Sequence, residues 1–213
     1  MHKRLFIAVD IDDATGAQIA RISAGVRDVV ATHTKASWVP TDRMHLTLLF
    51  LGHVEEAVEQ RISGVLASPI REAPFDVMFD GLGLFPGRGS PRVLWLGIRE
   101  GLEHLRSVHR TVVARVGLDL ARVGLDLSRA LPTRDASFSP HLTLARFRDR
   151  VPRGKLAGIT RIQASAGPSR IDRVTLYESR LSPASLDSRS GRPEDTRRAG
   201  PTYVPLAVAS LQP

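Results

Sequence analysis

The chain has 213 residues, 42% of them hydrophobic, no cysteine and a formal net charge of +8. That length suits one compact domain, or two small associated lobes, with a core that needs no covalent or metal staple. The missing cysteines exclude disulfides, thiolate metal sites and a cysteine nucleophile, and no apolar run approaches a membrane span.

In chain order, residues 4–11 (Arg-Leu-Phe-Ile-Ala-Val-Asp-Ile) read as a buried strand. The apolar stretch stops at Asp10, and Asp12 and Asp13 follow, so this is a strand and not an export signal; a cytoplasmic protein is expected. Asp12 or Asp13 caps a helix predicted to run to about residue 31. Trp38-Val39-Pro40 leads to a strand from His45 to Leu51, closed by Gly52, and Glu55 to Leu66 reads as a short helix. Strands are predicted at 75–85 and 92–98, separated by the turn-rich Pro86-Gly87-Arg88-Gly89-Ser90-Pro91. Leu102, Leu105, Val112 and Val116 recur at helical spacing, which predicts an amphipathic helix over 101–116.

Ala-Arg-Val-Gly-Leu-Asp-Leu then occurs at 114–120 and again, identically, at 121–127. Two copies of so short a unit make no solenoid. The expectation is a tandem duplication that lengthens a surface connection, ahead of a lengthened helix or a lid. A strand at 141–147, a helix near 152–163 and strands at 170–181 and 202–211 complete the pattern. Ser182 to Pro201, rich in Ser, Arg, Gly and Pro, offers little to bury and reads as a mobile loop. Adjacent strands joined by short turns favour an α+β fold with largely antiparallel sheets over a doubly wound parallel one. No glycine-rich nucleotide fingerprint is present.

The strongest feature is a near repeat, His45-Leu46-Thr47-Leu48 and His141-Leu142-Thr143-Leu144. Side chains alternate along a strand, so each His shares a face with its Thr while the leucines point into a core. Two such strands facing one cleft would offer two imidazoles and two hydroxyls to a single ligand. That set suits in-line displacement at phosphorus: a neutral imidazole takes a proton from water, and a protonated one supplies the departing ribose oxygen. The threonines can hydrogen-bond the non-bridging phosphate oxygens, and the set needs no metal or cofactor. One His in an apolar strand is most often a hydrogen-bonded core residue. Two copies of the same four residues in one short chain are hard to explain by packing.

These motifs resemble those of the 2H phosphoesterase superfamily, and most of all its bacterial and archaeal RNA 2',3'-cyclic phosphodiesterases, also known as 2'-5' RNA ligases. The resemblance runs along the chain through Arg4-Leu-Phe-Ile-Ala-Val-Asp10, Trp38-Val-Pro40, His45-Leu-Thr-Leu-Leu-Phe-Leu-Gly52, Gly83-Leu-Phe85, Arg92-Val-Leu-Trp-Leu-Gly97, Pro140-His-Leu-Thr-Leu-Ala-Arg146, Leu176-Tyr-Glu-Ser179 and Gly200-Pro-Thr-Tyr203. It implies one domain over 1–213 made of two intertwined lobes related by a pseudo-twofold, each giving one motif to a central cleft. It implies opening of a 2',3'-cyclic phosphate to a 2'-phosphomonoester, with His45 the proton donor and His141 the base. Thr47 and Thr143 would hold the phosphate. Arg146 matches an arginine that relatives use on substrate, although strict alternation sets it opposite His141 unless a twist or bulge intervenes. Leu49 falls on the cleft-facing parity where many relatives carry a polar or basic residue, which would leave one phosphate contact missing.

Trp38, Phe138, Phe147 and Tyr177 are candidates to stack on a base, with Phe147 favoured because it shares the parity of His141. His104 and His109 are not spaced as helical ligands, and His2, His33 and His53 fit no metal-ligand spacing. Arg supplies most of the positive charge, since Lys3, Lys35 and Lys155 are the only lysines. Such a surface attracts RNA, though an Arg-biased coding sequence explains it equally well. The expected partner is RNA with a cyclic phosphate end, or a small cyclic-phosphate nucleotide, bound by a monomer without membrane attachment. Reverse 2'-5' ligation, action on 2'-5' oligoadenylate or ADP-ribose cyclic phosphate, a non-catalytic RNA-binding module and a metallohydrolase are the alternatives.

Overall fold

A computed structural model describes residues 2–124, 138–180 and 200–213. Strand β1 (His2–Asp10) carries Leu5 to Val9 almost wholly buried, as a continuous apolar run in a central strand requires. The side chain of Asp12 then accepts the Thr15 backbone N–H at 2.8 Å and starts α1 (Asp13–Ala31), which buries Ile19, Ser23, Val26 and Val30 on one stripe. Next come β2 (Ala36–Trp38), a 3₁₀ turn (Thr41–Arg43), β3 (His45–Glu55), α2 (Glu56–Val65), β4 (Ile70–Arg71), β5 (Phe75–Phe85) and β6 (Val93–Glu100). Helix α3 (Leu102–Ala121) is followed by β7 (Leu142–Phe147), a single helical turn α4 (Arg153–Leu156), a second 3₁₀ turn (Ile159–Arg161), β8 (Ser165–Ile171), β9 (Arg173–Arg180) and β10 (Thr202–Gln212). No helix among the described residues is long and apolar enough to cross a membrane.

The strands form one sheet in the order β4-β10-β9-β1-β3-β7-β6-β5-β8, with β2 paired to β7. Every pairing is antiparallel except that of β10 with β4. The α+β expectation therefore holds. The sheet divides at its middle, where β3 and β7 share the single register pair Leu46↔Leu142. On each side of that seam the register repeats. Val9↔Leu46 and Ala8↔Thr47 on one side match Leu96↔Leu142 and Trp95↔Thr143 on the other. Two lobes are thus built alike, with β2 beside β7 where β3 leaves off.

Three sequence expectations change. The first copy of the duplicated heptad is helix and not a surface connection. Val116 and Leu120 continue the buried stripe of Leu105, Val108 and Val112, because seven residues are close to two helical turns. The Arg61 guanidinium grips Asp119 at 3.0 and 3.1 Å and ties this extension to α2. The end of the second copy, residues 125–127, lies outside the described residues, as does nearly all of the 182–201 segment. The helix expected over 152–163 shrinks to α4 and a 3₁₀ turn, since Pro152, Gly154 and Gly158 weaken it. The strand expected at 170–181 is two strands, β8 and β9, broken at Asp172.

Candidate active site

The pair Leu46↔Leu142 brings the two motifs side by side in antiparallel sense. Both leucines are fully buried. Their neighbours His45, Thr47, His141 and Thr143 therefore project from the opposite face of the sheet, Thr47 exposed and the other three half-buried. His45 Nδ1 lies 2.9 Å from the Arg43 carbonyl, and His141 Nδ1 lies 2.9 Å from the Ser139 carbonyl. A carbonyl only accepts, so Nδ1 carries the proton in both rings and Nε2 is the nitrogen left for a ligand. Neither threonine hydroxyl is taken by a protein partner among the described residues.

Bulges decide what else faces this site. Between β6 and β7 the register steps from Trp95↔Thr143 to Leu94↔Ala145, so Leu144 is an extra residue in β7. Val39 N–H bonds the Leu144 carbonyl at 2.9 Å, which anchors the bulge. Beyond it Arg146 pairs with Val93, which shares a face with Trp95, and so Arg146 joins the side of His141 and Thr143. The same step turns Phe147 inward, where it is 6% exposed in the core. The expectation of Phe147 as a base-stacking residue is thereby corrected: a buried ring offers no free face.

Lobe one carries the matching bulge. Ala8↔Thr47 is followed by Ile7↔Leu49, which makes Leu48 the extra residue and buries Leu49 in the core. The cleft-facing place read for Leu49 belongs instead to Phe50, opposite Phe6 and 37% exposed. Phe50 is the counterpart of Arg146, and a strict period of two misses both.

Around His45 the structure gathers residues from three other strands. Its ring meets Phe6 at 4.8 Å and the edge of Tyr203 at 5.2 Å. Asp10, its partner across β1 and β3, accepts the Tyr177 hydroxyl at 2.8 Å and the Thr175 hydroxyl at 3.3 Å. Burial is the largest influence on His45 and pushes its pKa below the ordinary imidazole value; Arg146 and His141 push the same way, against the Arg43 carbonyl and Asp10. Tyr177 is driven well above the usual phenol range by burial and by its bond to the Asp10 carboxylate.

On the second lobe, Phe85 meets His141 edge-on at 4.9 Å, and Trp95 stacks on Phe85 at 5.0 Å. Trp95 lies so close over Gly83 that an added Cβ would sit 2.0 Å from the indole. The β6–β7 register ends at Leu96↔Leu142, and the next β6 residue, in the place Asp10 has in β1, is Gly97. A cavity of about 490 Å³ lies on this side, lined by Asp80, Trp95, Gly97, Phe138 and Ser139 among others.

The remaining stacking candidates already have partners: Trp38 carries Arg27 over its ring, Phe138 stacks on His109 at 4.0 Å, and Tyr177, beside His45, is engaged by Asp10. His104 bonds Glu72 at 2.8 Å. Among the described residues, no three His, Asp or Glu side chains gather as a metal would need. Asp10, Tyr203 and Phe50 escaped the sequence reading. The stretches quoted for the resemblance contain all three, but only long-range strand pairing puts them beside His45 and Thr47.

Residues 11–182 match the family model described as the 2'-5' RNA ligase superfamily. The RNA 2',3'-cyclic phosphodiesterase of Archaeoglobus fulgidus is 35% identical over 185 residues, 84% of this chain and 93% of the relative. That of Methanothermobacter thermautotrophicus is 32% identical over 214 residues, 99% and 100% of the two chains. A crystal structure from Thermus thermophilus superposes with a TM-score of 0.69 at 28% identity, over 98% of this chain and 97% of that one. The LigT protein of E. coli complexed with 3'-AMP gives 0.67 at 26%, over 100% and 99%. Family model, relatives and paired motifs agree: the chain belongs to the 2'-5' RNA ligase superfamily of 2H phosphoesterases.

Proposed function

We propose that the protein is an RNA 2',3'-cyclic phosphodiesterase that opens the cyclic phosphate to a 2'-phosphomonoester with two histidines and no metal. The matched Nδ1–carbonyl bonds of His45 and His141 are the observation that carries this reading. They give two imidazoles the same tautomer, on a rigid sheet, with Nε2 of each free for proton transfer.

In this mechanism His141 takes a proton from water through Nε2, and the oxygen attacks phosphorus in line with the 3' oxygen. His45 gives its Nε2 proton to that departing oxygen. Thr47, Thr143 and Arg146 hold the non-bridging oxygens as charge builds on them. A difference between the lobes supports these roles: Asp10 pairs with His45 across β1 and β3, whereas the β6 residue that follows Leu96 is Gly97. The Asp10 carboxylate favours the protonated form that a donor needs, working against burial, Arg146 and His141, which together hold the His45 pKa below the ordinary imidazole value. Both motifs come from one chain, so a monomer forms the complete site.

The test is a short RNA ending in a 2',3'-cyclic phosphate, incubated with the wild type in EDTA and resolved by chromatography that separates 2'- from 3'-phosphate ends. Accumulation of the 2'-phosphate end is expected. An intact end, or activity that returns only with added metal, rejects the mechanism. With a 5'-hydroxyl RNA in excess the same groups run the step backwards to a 2'-5' bond, at low yield because water competes.

Asp10 supplies a second check. Asp10→Asn removes the carboxylate that favours the His45 imidazolium, while the pull of burial, Arg146 and His141 toward the neutral ring stays. The His45 pKa falls further, and the alkaline limb of kcat/KM moves to lower pH. The shift is assigned by following the His45 ring proton in NMR alongside the rate profile. A His45 titration unmoved by Asp10→Asn would remove the carboxylate from the mechanism.

A further inference from the structure

The carbonyl that fixes the His45 tautomer belongs to Arg43, and the chemistry proposed above involves only the backbone of that residue. Arg43 closes the first 3₁₀ turn. Its N–H bonds the Pro40 carbonyl at 3.0 Å, and the N–H of buried Met44 bonds the Thr41 carbonyl at 3.1 Å. The turn thereby sets the direction of the Arg43 carbonyl. The half-buried Arg43 side chain reaches 158 positions along the chain, where Nη1 donates to the Pro201 carbonyl at 3.3 Å. The fit is close, because a Cβ added to Gly200 would stand 2.6 Å from the same Nη1. Two residues after Pro201, Tyr203 sets its ring 5.2 Å from His45, edge-on, and 4.9 Å from Phe6.

We propose that Arg43 is the positioning residue of the acid histidine: its carbonyl holds Nδ1 while its guanidinium holds the Gly200–Tyr203 segment against the ring. This assignment rests on the function proposed above and names a residue on which the proton donor depends. The χ2 torsion of a histidine is broad, so one hydrogen bond at Nδ1 leaves the ring room to rock. Phe6 and Tyr203 restrict that motion from two sides. The β9–β10 ladder begins only at Thr202↔Arg180, which leaves Arg43 to hold the residue before it. A guanidinium suits the task, since its planar fork loses less freedom per hydrogen bond than an ammonium does. Arg43 acts through His45 and makes no contact with the substrate.

Arg43→Met removes the donor and keeps both the backbone carbonyl and the length of the stem. With adenosine 2',3'-cyclic phosphate, kcat is expected to fall on the order of tenfold while KM stays near the wild-type value. Arg43→Lys, which can still donate to the Pro201 carbonyl, recovers most of the loss. Gly200→Ala reaches the same contact from the other side, since the added methyl displaces Nη1, and should cost a similar factor in kcat. The double variant of Arg43→Met with Gly200→Ala should lose little beyond either change alone. A wild-type kcat in Arg43→Met, measured below its melting transition, overturns the assignment and leaves the Pro201 bond as a fold contact. A loss confined to KM also overturns it, by making Arg43 a substrate contact.

If the wild type turns over no cyclic phosphate, the proposed function is at fault, and the ring itself decides the place of Arg43. Solvent exchange of the His45 Nδ1 proton is then followed by NMR in the wild type and in Arg43→Met. Faster exchange in the variant is expected, with the ring signals of His141, held by Ser139 instead, left unmoved. Equal exchange in the two proteins rejects the positioning of His45 by Arg43.

Discussion

His45→Ala and His141→Ala each lower turnover of a 2',3'-cyclic phosphate by about 10²–10⁴-fold, the share that positioned acid–base groups supply. The two losses combine to much less than their product in the double variant, because a base without its acid completes little of a concerted transfer. Neither change unfolds the protein. Both rings are only half-buried, and the core beneath them is built by Leu46, Leu142 and Leu144, not by the imidazoles. Melting temperatures within a few degrees of wild type are therefore expected. His45→Ala costs the more of the two, since it also strips a ring from between Phe6 and Tyr203. Turnover that survives either substitution at near wild-type rate would end the two-histidine mechanism. Intact RNA binding without turnover in both variants separates chemistry from affinity and argues against a pure binding module. Loss of binding in His45→Ala, with no turnover in the wild type, would favour that module.

How much of this site the sequence displays depends on the range of the interaction that builds it. His and Thr two apart on a strand share a face by backbone geometry alone, so the four central groups are legible from two short motifs. The next residues are not. A single inserted residue at Leu48 and another at Leu144 reverses the alternation, burying Leu49 and Phe147 and exposing Phe50 and Arg146 to the cleft. Nothing in the local composition around Leu48 or Leu144 announces a bulge; the partner strands set both, and the Val39 bond to the Leu144 carbonyl holds the second. Asp10 meets Tyr177 across most of the chain, through β1 and β9 pairing that local pattern does not encode. The α3 extension erred in the other direction: the heptad copy looked like an insertion, yet its Val and Leu spacing already carried the buried stripe. Polar, glycine-rich and short elements such as β2, β4 and β8 gave too little hydrophobic period to be seen.

The second large effect is expected at the seam, away from any titrating group. Leu46 and Leu142 are both fully buried, and theirs is the register pair through which β3 meets β7. Leu46→Ala and Leu142→Ala should each destabilise the fold by about 2–5 kcal/mol, read as a lower denaturant midpoint. Because the two side chains face each other, the losses in the double variant should not add; a coupling of about 0.5–3 kcal/mol is expected. The functional consequence is sharper than the thermodynamic one. The seam sets the spacing of the two imidazoles, and a displacement of about 1 Å can cost on the order of 10²-fold in rate. Each single variant, assayed at a temperature where it is fully folded, should therefore lose kcat while the NMR titration of His45 persists. Additive stability losses with kcat retained would mean that the lobes are held by their flanking helices and β2, and that the leucine pair only fills space. Non-additive losses with kcat reduced would make those two buried leucines the element that turns a pair of strand motifs into one acid–base site.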